Sequence, residues 1–226
     1  MLILLLFLIL SCFQNPEDNK INTPIIESGQ DVILYSDVVL YDKFHNELLL
    51  DTLSDNSTAQ FSPVYIGALK DSIHLTYKPS KIKNRTSNWF KYRRPSPKDL
   101  EIFIDTTKTI GFSMDVWGYY KKSEYRVGKK SYPVFVHNKS SDTLSIGLGD
   151  IFYMTTEAKD VKGQWTEMES PFIYGCGTGL TVFYLPPDEV VITSLRQNFG
   201  TTNTEFRVKH DVLDGVIYSN VIQGKI

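Results

Sequence analysis

The chain holds only two cysteines in 226 residues, Cys12 and Cys176. That number excludes a disulfide-stapled scaffold. Its four histidines, His45, His74, His137 and His210, show no ligand spacing with one another or with Cys176. No metal centre is therefore expected, and no cofactor. An excess of charge is missing too: 24 Lys and Arg against 26 Asp and Glu leave a net charge of -2. Nothing global points to nucleic acid as a partner. Beyond the first residues no run approaches 18 consecutive apolar positions, so no membrane-spanning helix is expected. Helical periodicity longer than two turns is absent as well. The glycines around Cys176 (Gly175, Gly177, Gly179) are not followed by Gly-Lys-Ser/Thr, which excludes a phosphate loop. Cys176 has no general base nearby in sequence, and no catalytic residue is assigned.

What is abundant is aromatic and β-branched. Aromatics make up 13% of the chain, with 13 Tyr, 13 Phe and 3 Trp, residues that suit a pleated, half-buried surface. From residue 31 onward, short strand-like runs alternate with turn clusters. Asp31 to Tyr41, Ile73 to Tyr77, Ile102 to Ile104 and Phe112 to Tyr120 open the series. Tyr132 to His137, Thr143 to Leu148, Phe152 to Glu157, Leu180 to Leu185, Glu189 to Thr193 and Val216 to Ile222 continue it. The clearest alternation places Thr204, Phe206, Val208 and His210 on one face and Glu205, Arg207 and Lys209 on the other. Asn138 to Asp142 and Asp160 to Gly163 read as turns. The expected class is all-β, an antiparallel β-sandwich. Tyr132 to Ile146 (YPVFVHNKSSDTLSI) resembles an early hairpin of an immunoglobulin-like domain. Tyr184 to Val191 (YLPPDEVV) resembles the strand entry of such sandwiches. The charged stretch 122–130 suggests two packed β domains, 31–125 and an immunoglobulin-like 126–226, with a single elaborated sandwich as the alternative.

The first residues are of another kind. Met1 to Leu10 form an uncharged apolar run ending at Ser11-Cys12. As a helix, about 11 residues rise roughly 16 Å, about half of a ~30 Å hydrocarbon core. That length suits the apolar region of an export signal, here 1–11. Ile9-Leu10-Ser11-Cys12 resembles the lipobox of bacterial lipoproteins. The resemblance implies cleavage before Cys12 and acyl chains such as palmitate on that cysteine, a membrane anchor. Phe13 in place of Asp favours the outer membrane of the cell envelope. Residues 12–30, polar and proline-containing at their start, read as a tether.

Candidate contacts come from two places. Residues 78–98 contain eight Lys or Arg and no acid, with Trp89, Phe90 and Tyr92 among them. Lys121, Lys122, Arg126, Lys129 and Lys130 follow. Basic groups interleaved with aromatics can hold polyanions or stack on sugar rings, which makes Trp89, Tyr92, Arg93 and Arg94 candidate ligand contacts. In an exported lipoprotein the partner would be a glycan, a lipid headgroup or an envelope protein. The bland alternative is a solvated hairpin loop. Around Trp165, the acids Glu157, Asp160, Glu167 and Glu169 could supply a carboxylate pair and an aromatic platform, or simply face water from a strand–turn–strand. Asp51-Thr52-Leu53, Asp71-Ser72-Ile73 and Asp142-Thr143-Leu144 resemble an O-glycosylation pattern of exported bacterial proteins; each equally suits a turn aspartate entering a strand.

Overall fold

The computed structural model describes residues 35–42, 61–77, 81–114, 126–149, 151–170, 180–197 and 200–226. The leader, Cys12, the tether, Asp51 to Leu53, Trp117 and Cys176 lie outside them. The described chain begins with a 3-10 turn (Tyr35–Asp37), then β1 (Val39–Tyr41), β2 (Tyr65–Ala68), β3 (Ser72–His74), β4 (Arg85–Thr86) and β5 (Leu100–Ile104). It continues through β6 (Ile110–Met114), β7 (Arg126–Asn138), β8 (Leu144–Leu148), β9 (Met154–Lys159) and β10 (Trp165–Glu167). The last strands are β11 (Val182–Leu185), β12 (Glu189–Arg196), β13 (Asn203–Val212), β14 (Gly215–Tyr218) and β15 (Ile222–Lys225). The protein is all-β, and its sheets are antiparallel apart from the short parallel pair β1–β3.

The centre is the sheet β2-β12-β7-β5, with β6 on the free half of β7. In β7 the successive residues Val134, Phe135 and Val136 are all buried, as are Val190, Val191 and Ile192 in β12. Neighbouring side chains on a strand point to opposite faces, so continuous burial requires cover on both sides. One face carries Leu100, Ile102, Ile104, Val134, Val136, Val191 and Leu195 into the main core. There they meet Met154, Phe206, Val208 and Ile217 from the sheet β10-β9-β13-β14, and Leu144, Phe183 and Leu185 from the sheet β4-β11-β8. The other face presents Phe135, Val190 and Ile192 to a second core with Val38, Val64, Ile73 and Tyr77. The expected sandwich thus has a further layer on its outer side.

β13 shows the opposite pattern: Phe206, Val208 and His210 are buried while Glu205, Arg207 and Lys209 are not. The alternation read in the sequence is the burial of one face only. The outer face is laced with ion pairs: Lys159 with Glu205, Arg207 Nη2 with Glu157 at 2.7 Å, and Lys209 Nζ with Glu167 at 2.7 Å.

One expectation is corrected. Tyr132 to Ile146 is not a hairpin, since β7 pairs with β5, β6 and β12 while β8 pairs with β11. The chain crosses between sheets at residues 139–143, and the buried Asn138 amide stitches the crossing by donating to the carbonyls of Asp142, Leu185 and Pro186 at 2.8, 3.0 and 2.9 Å. The charged stretch from Arg126 onward lies within the central sheet. Arg126 to Lys130 is the first part of β7, hydrogen-bonded to β6, and Ile33–Ile226 form one compact unit. Backbone pairing, invisible in a charged stretch, holds that segment in the sheet.

Candidate functional site

A half-open groove of about 830 Å³ runs between the 89–95 segment and the β13–β14 turn, within the size range of small-molecule sites. Trp89, Phe90, Tyr92 and Arg94 form one wall. Tyr153 and Asp211 to Asp214 form the other, and Gly147, Leu148 and Val182 lie between. Four of the five sequence-derived contacts, Trp89, Tyr92, Arg93 and Arg94, are therefore brought together. The fifth, Trp165, does not line the groove.

The aromatic wall is rigidly built. Asn88 shapes the loop tip: its Oδ1 accepts from Phe90 N at 3.1 Å, its carbonyl accepts from Lys91 N at 3.2 Å, and its own N–H donates to Thr86 Oγ1 at 3.1 Å. This turn holds Phe90 at 94% exposure. The Trp89 indole N–H donates to the Leu180 carbonyl at 3.0 Å and leaves the ring 40% exposed. Tyr92 packs on Tyr184, with ring centroids 5.1 Å apart. Facing it, Tyr153 and Leu213 are also exposed. Exposed apolar residues gathered around one depression, and not scattered singly, mark an interaction site.

Arg93 is bound by the protein itself. Its Nη1 and Nη2 form a fork on Asp99 at 2.7 and 2.9 Å, and its Nε donates to Asp142 at 2.7 Å. The guanidinium is occupied by the protein's own carboxylates. Asp99 also accepts from Ser96 N and Ser96 Oγ, both at 2.6 Å. Those donors, with Arg93 foremost, hold its carboxyl far below the usual carboxylate range. Around this clamp the Arg93 carbonyl accepts from Ser145 N at 2.8 Å and the Pro95 carbonyl from Leu213 N at 3.0 Å. The Pro95–Leu213 backbone bond joins the two walls, and Arg93 ties its own segment to Asp99 and Asp142; Arg94, by contrast, is exposed and makes no ion pair among the described residues.

His210 also lines the groove. It is buried, and its Nδ1 lies 2.8 Å from the Tyr153 carbonyl, which as an acceptor requires the proton on Nδ1. Burial pushes its pKa below the ordinary value, and the same cause lowers that of His137. Both imidazoles are more readily protonated in the unfolded chain. Stability is then full above about pH 7.5 and falls as pH drops through about 6.5, by at most about 1.4 kcal/mol per pH unit for each histidine. Denaturation midpoints at pH 7.5 and 5.5 are expected to show this loss, and a His210→Asn, His137→Asn double variant is expected to flatten it. An unchanged slope in that variant would assign the loss elsewhere.

Trp165 stands on the outer face of β9–β13. The Arg207 guanidinium lies 4.2 Å from its ring centroid and 3.7 Å from that of Tyr218. The acids near it have local partners. Glu157 binds Arg207, Glu167 binds Lys209, and Asp160 Oδ1 accepts from Lys162 N and Gln164 N at 2.8 Å. Glu169 Oε2 accepts from Thr156 Oγ1 at 3.2 Å, and burial raises its pKa. Ser72 of the Asp-Ser-Ile triplet is exposed on β3, while Thr143 is half-buried.

The opposite wall was not found from sequence. Asp214-Gly215 is a hairpin signal, and Asp214 does adopt a φ of 61° at that turn. Nothing in the sequence, however, places the turn beside Trp89. Among the described residues no group of three His, Cys, Asp or Glu side chains is arranged to hold a metal, and no helix is long and apolar enough to cross a membrane. No protein-family model matches the chain, and neither a curated protein nor a solved structure matches it.

Proposed function

We propose that the chain is a non-catalytic lipoprotein of a bacterial cell envelope, anchored through Cys12, whose β body holds a ligand in the aromatic groove. The anchor rests on the apolar run Met1 to Leu10 and the lipobox-like Ile9 to Cys12. The binding role rests on one observation: Trp89, Phe90 and Tyr153 are exposed around a single groove whose walls are pinned by internal hydrogen bonds. The non-catalytic reading rests on the lack of an assembled catalytic motif in the sequence. The outer membrane is the proposed site of attachment, on the strength of Phe13.

Mass spectrometry of the mature N-terminus is expected to find an acylated Cys12, and Cys12→Ala is expected to release the body into the soluble fraction. An unmodified Cys12 in the producing cell would refute the anchor. For the groove, hydroxyl-radical footprinting compares intact envelopes with purified full-length protein. Trp89, Phe90 and Tyr153 are expected to react several-fold less in the envelope. Equal reactivity in both would end the binding role.

A further inference from the structure

The chemistry of the groove narrows its occupant, given the binding role just proposed. We infer that the groove takes an uncharged glycan strand, stacked between Trp89 and Tyr153 with hydroxyls bonded to Asp211, Asp214 and Arg94.

The first argument is charge. The acid-free segment 78–98 suggests a polyanion when read as sequence. In the fold, Arg93 is neutralised by Asp99 and Asp142, neither of which lines the groove. Of the cations in the lining, Arg94 is left, and the opposite lip carries Asp211 and Asp214. Lys209 lies 3.5 Å from Asp211 but also binds Glu167 at 2.7 Å. The rim is close to neutral, and a dense anion would face two carboxylates at short range.

The second argument is shape and polarity. An acyl chain needs an enclosed apolar slot, whereas this groove is half open and edged by Arg94, Asp211 and Asp214. An extended peptide would add to a strand edge, and the edge of β8 is already taken: Ser145 N donates to Arg93 O, and Leu148 N to Ile151 O at 3.1 Å. Sugars meet the remaining features. Their C–H faces carry slight positive charge and lie against the electron-rich faces of aromatic rings. Their hydroxyls donate to carboxylates and accept from a guanidinium. Rings held on both walls, with two acceptors and a donor at the rim, match that alternation of apolar face and polar edge.

The test is isothermal titration of the full-length protein in detergent with neutral hexasaccharides of glucose, mannose and N-acetylglucosamine. A heparin-derived hexasaccharide, a hexapeptide and an anionic lipid vesicle serve as contrasts. At least one neutral oligosaccharide is expected to bind, with affinity reduced at least tenfold by Trp89→Ala and by Tyr153→Ala, and several-fold by Asp214→Asn. Binding is expected to change less than twofold between 50 and about 300 mM salt, since no ion pair with the ligand is made. Circular dichroism confirms that each variant is folded; the surface change Asp214→Asn serves if an aromatic variant is not. Tighter binding of the heparin fragment, the peptide or the vesicle would overturn the inference, as would binding insensitive to these substitutions or no binding by any neutral probe. If footprinting shows the groove occupied in envelopes while neutral glycans fail, the glycan assignment falls and the binding role stands.

Discussion

Replacing Phe135 by alanine is expected to lower the unfolding free energy by about 3–5 kcal/mol. Phe135 has no exposed surface at all. On β7 it lies between Phe103 of β5 and Ile192 of β12, and its ring stacks on Tyr35 at 5.1 Å between centroids. Truncation leaves a cavity where the central sheet meets its outer cover, and neighbours held by hydrogen-bonded ladders on both sides cannot close it. Urea denaturation followed by circular dichroism measures the loss. A change below about 1 kcal/mol would mean that the outer cover is not part of the cooperative unit. Phe90→Ala is the natural control. Its ring is almost wholly exposed, so stability is expected to move by less than about 0.5 kcal/mol, while any ligand affinity falls.

The second large effect belongs to the Arg93 clamp. Asp99 is buried beside a guanidinium that is 41% exposed. Removing the carboxylate with Asp99→Ala takes away four short hydrogen bonds and leaves Arg93 with Asp142 as its one carboxylate partner. The expected loss is about 2–3 kcal/mol, smaller than for a fully buried pair because water reaches Arg93. The pH dependence has a definite sign. The folded pKa of Asp99 lies below the unfolded value of about 3.9, so the contribution is complete above that pH and disappears as pH falls through and below it. Wild-type protein should lose stability in this acidic limb, and Asp99→Asn should lose less, keeping the part due to Asp105, whose carboxyl is also held low. The limb lies well below the histidine limb near pH 6.5, so one titration of denaturation midpoints separates the two. If the wild type and Asp99→Asn lose stability in parallel below pH 4, the clamp is not the cause.

The strands were largely legible because their side chains carry a period. Phe206, Val208 and His210 alternate with charges, and the continuous apolar runs at 134–136 and 190–192 announce burial on both faces. What the period does not encode is partner choice. Val216 to Ile222 reads as one strand but is divided by Ser219 to Val221, where Asn220 bonds the backbone of Ile104 at 2.7 and 3.0 Å. The apparent hairpin at 132–146 fails for the same reason: a turn sequence bends the chain without saying which sheet receives it. In the groove, residue type showed the aromatics of the 89–92 segment but not the carboxylate partners of Arg93. An acid-free window ending at Lys98 stops one residue short of Asp99, the carboxylate that binds that arginine. Its other partner, Asp142, is 49 positions away and brought near by the β7–β8 crossing.

The internally bonded tip at Thr86 to Lys91 has a kinetic and thermodynamic consequence. A recognition loop that must be frozen on contact loses roughly 0.5–1.5 kcal/mol for each immobilised side chain. Here Asn88 has set the backbone before any encounter, and the Leu180 carbonyl has fixed the indole. Capture should therefore proceed in a single step without a slow isomerisation phase, and unliganded and liganded loops should superimpose within about 1 Å.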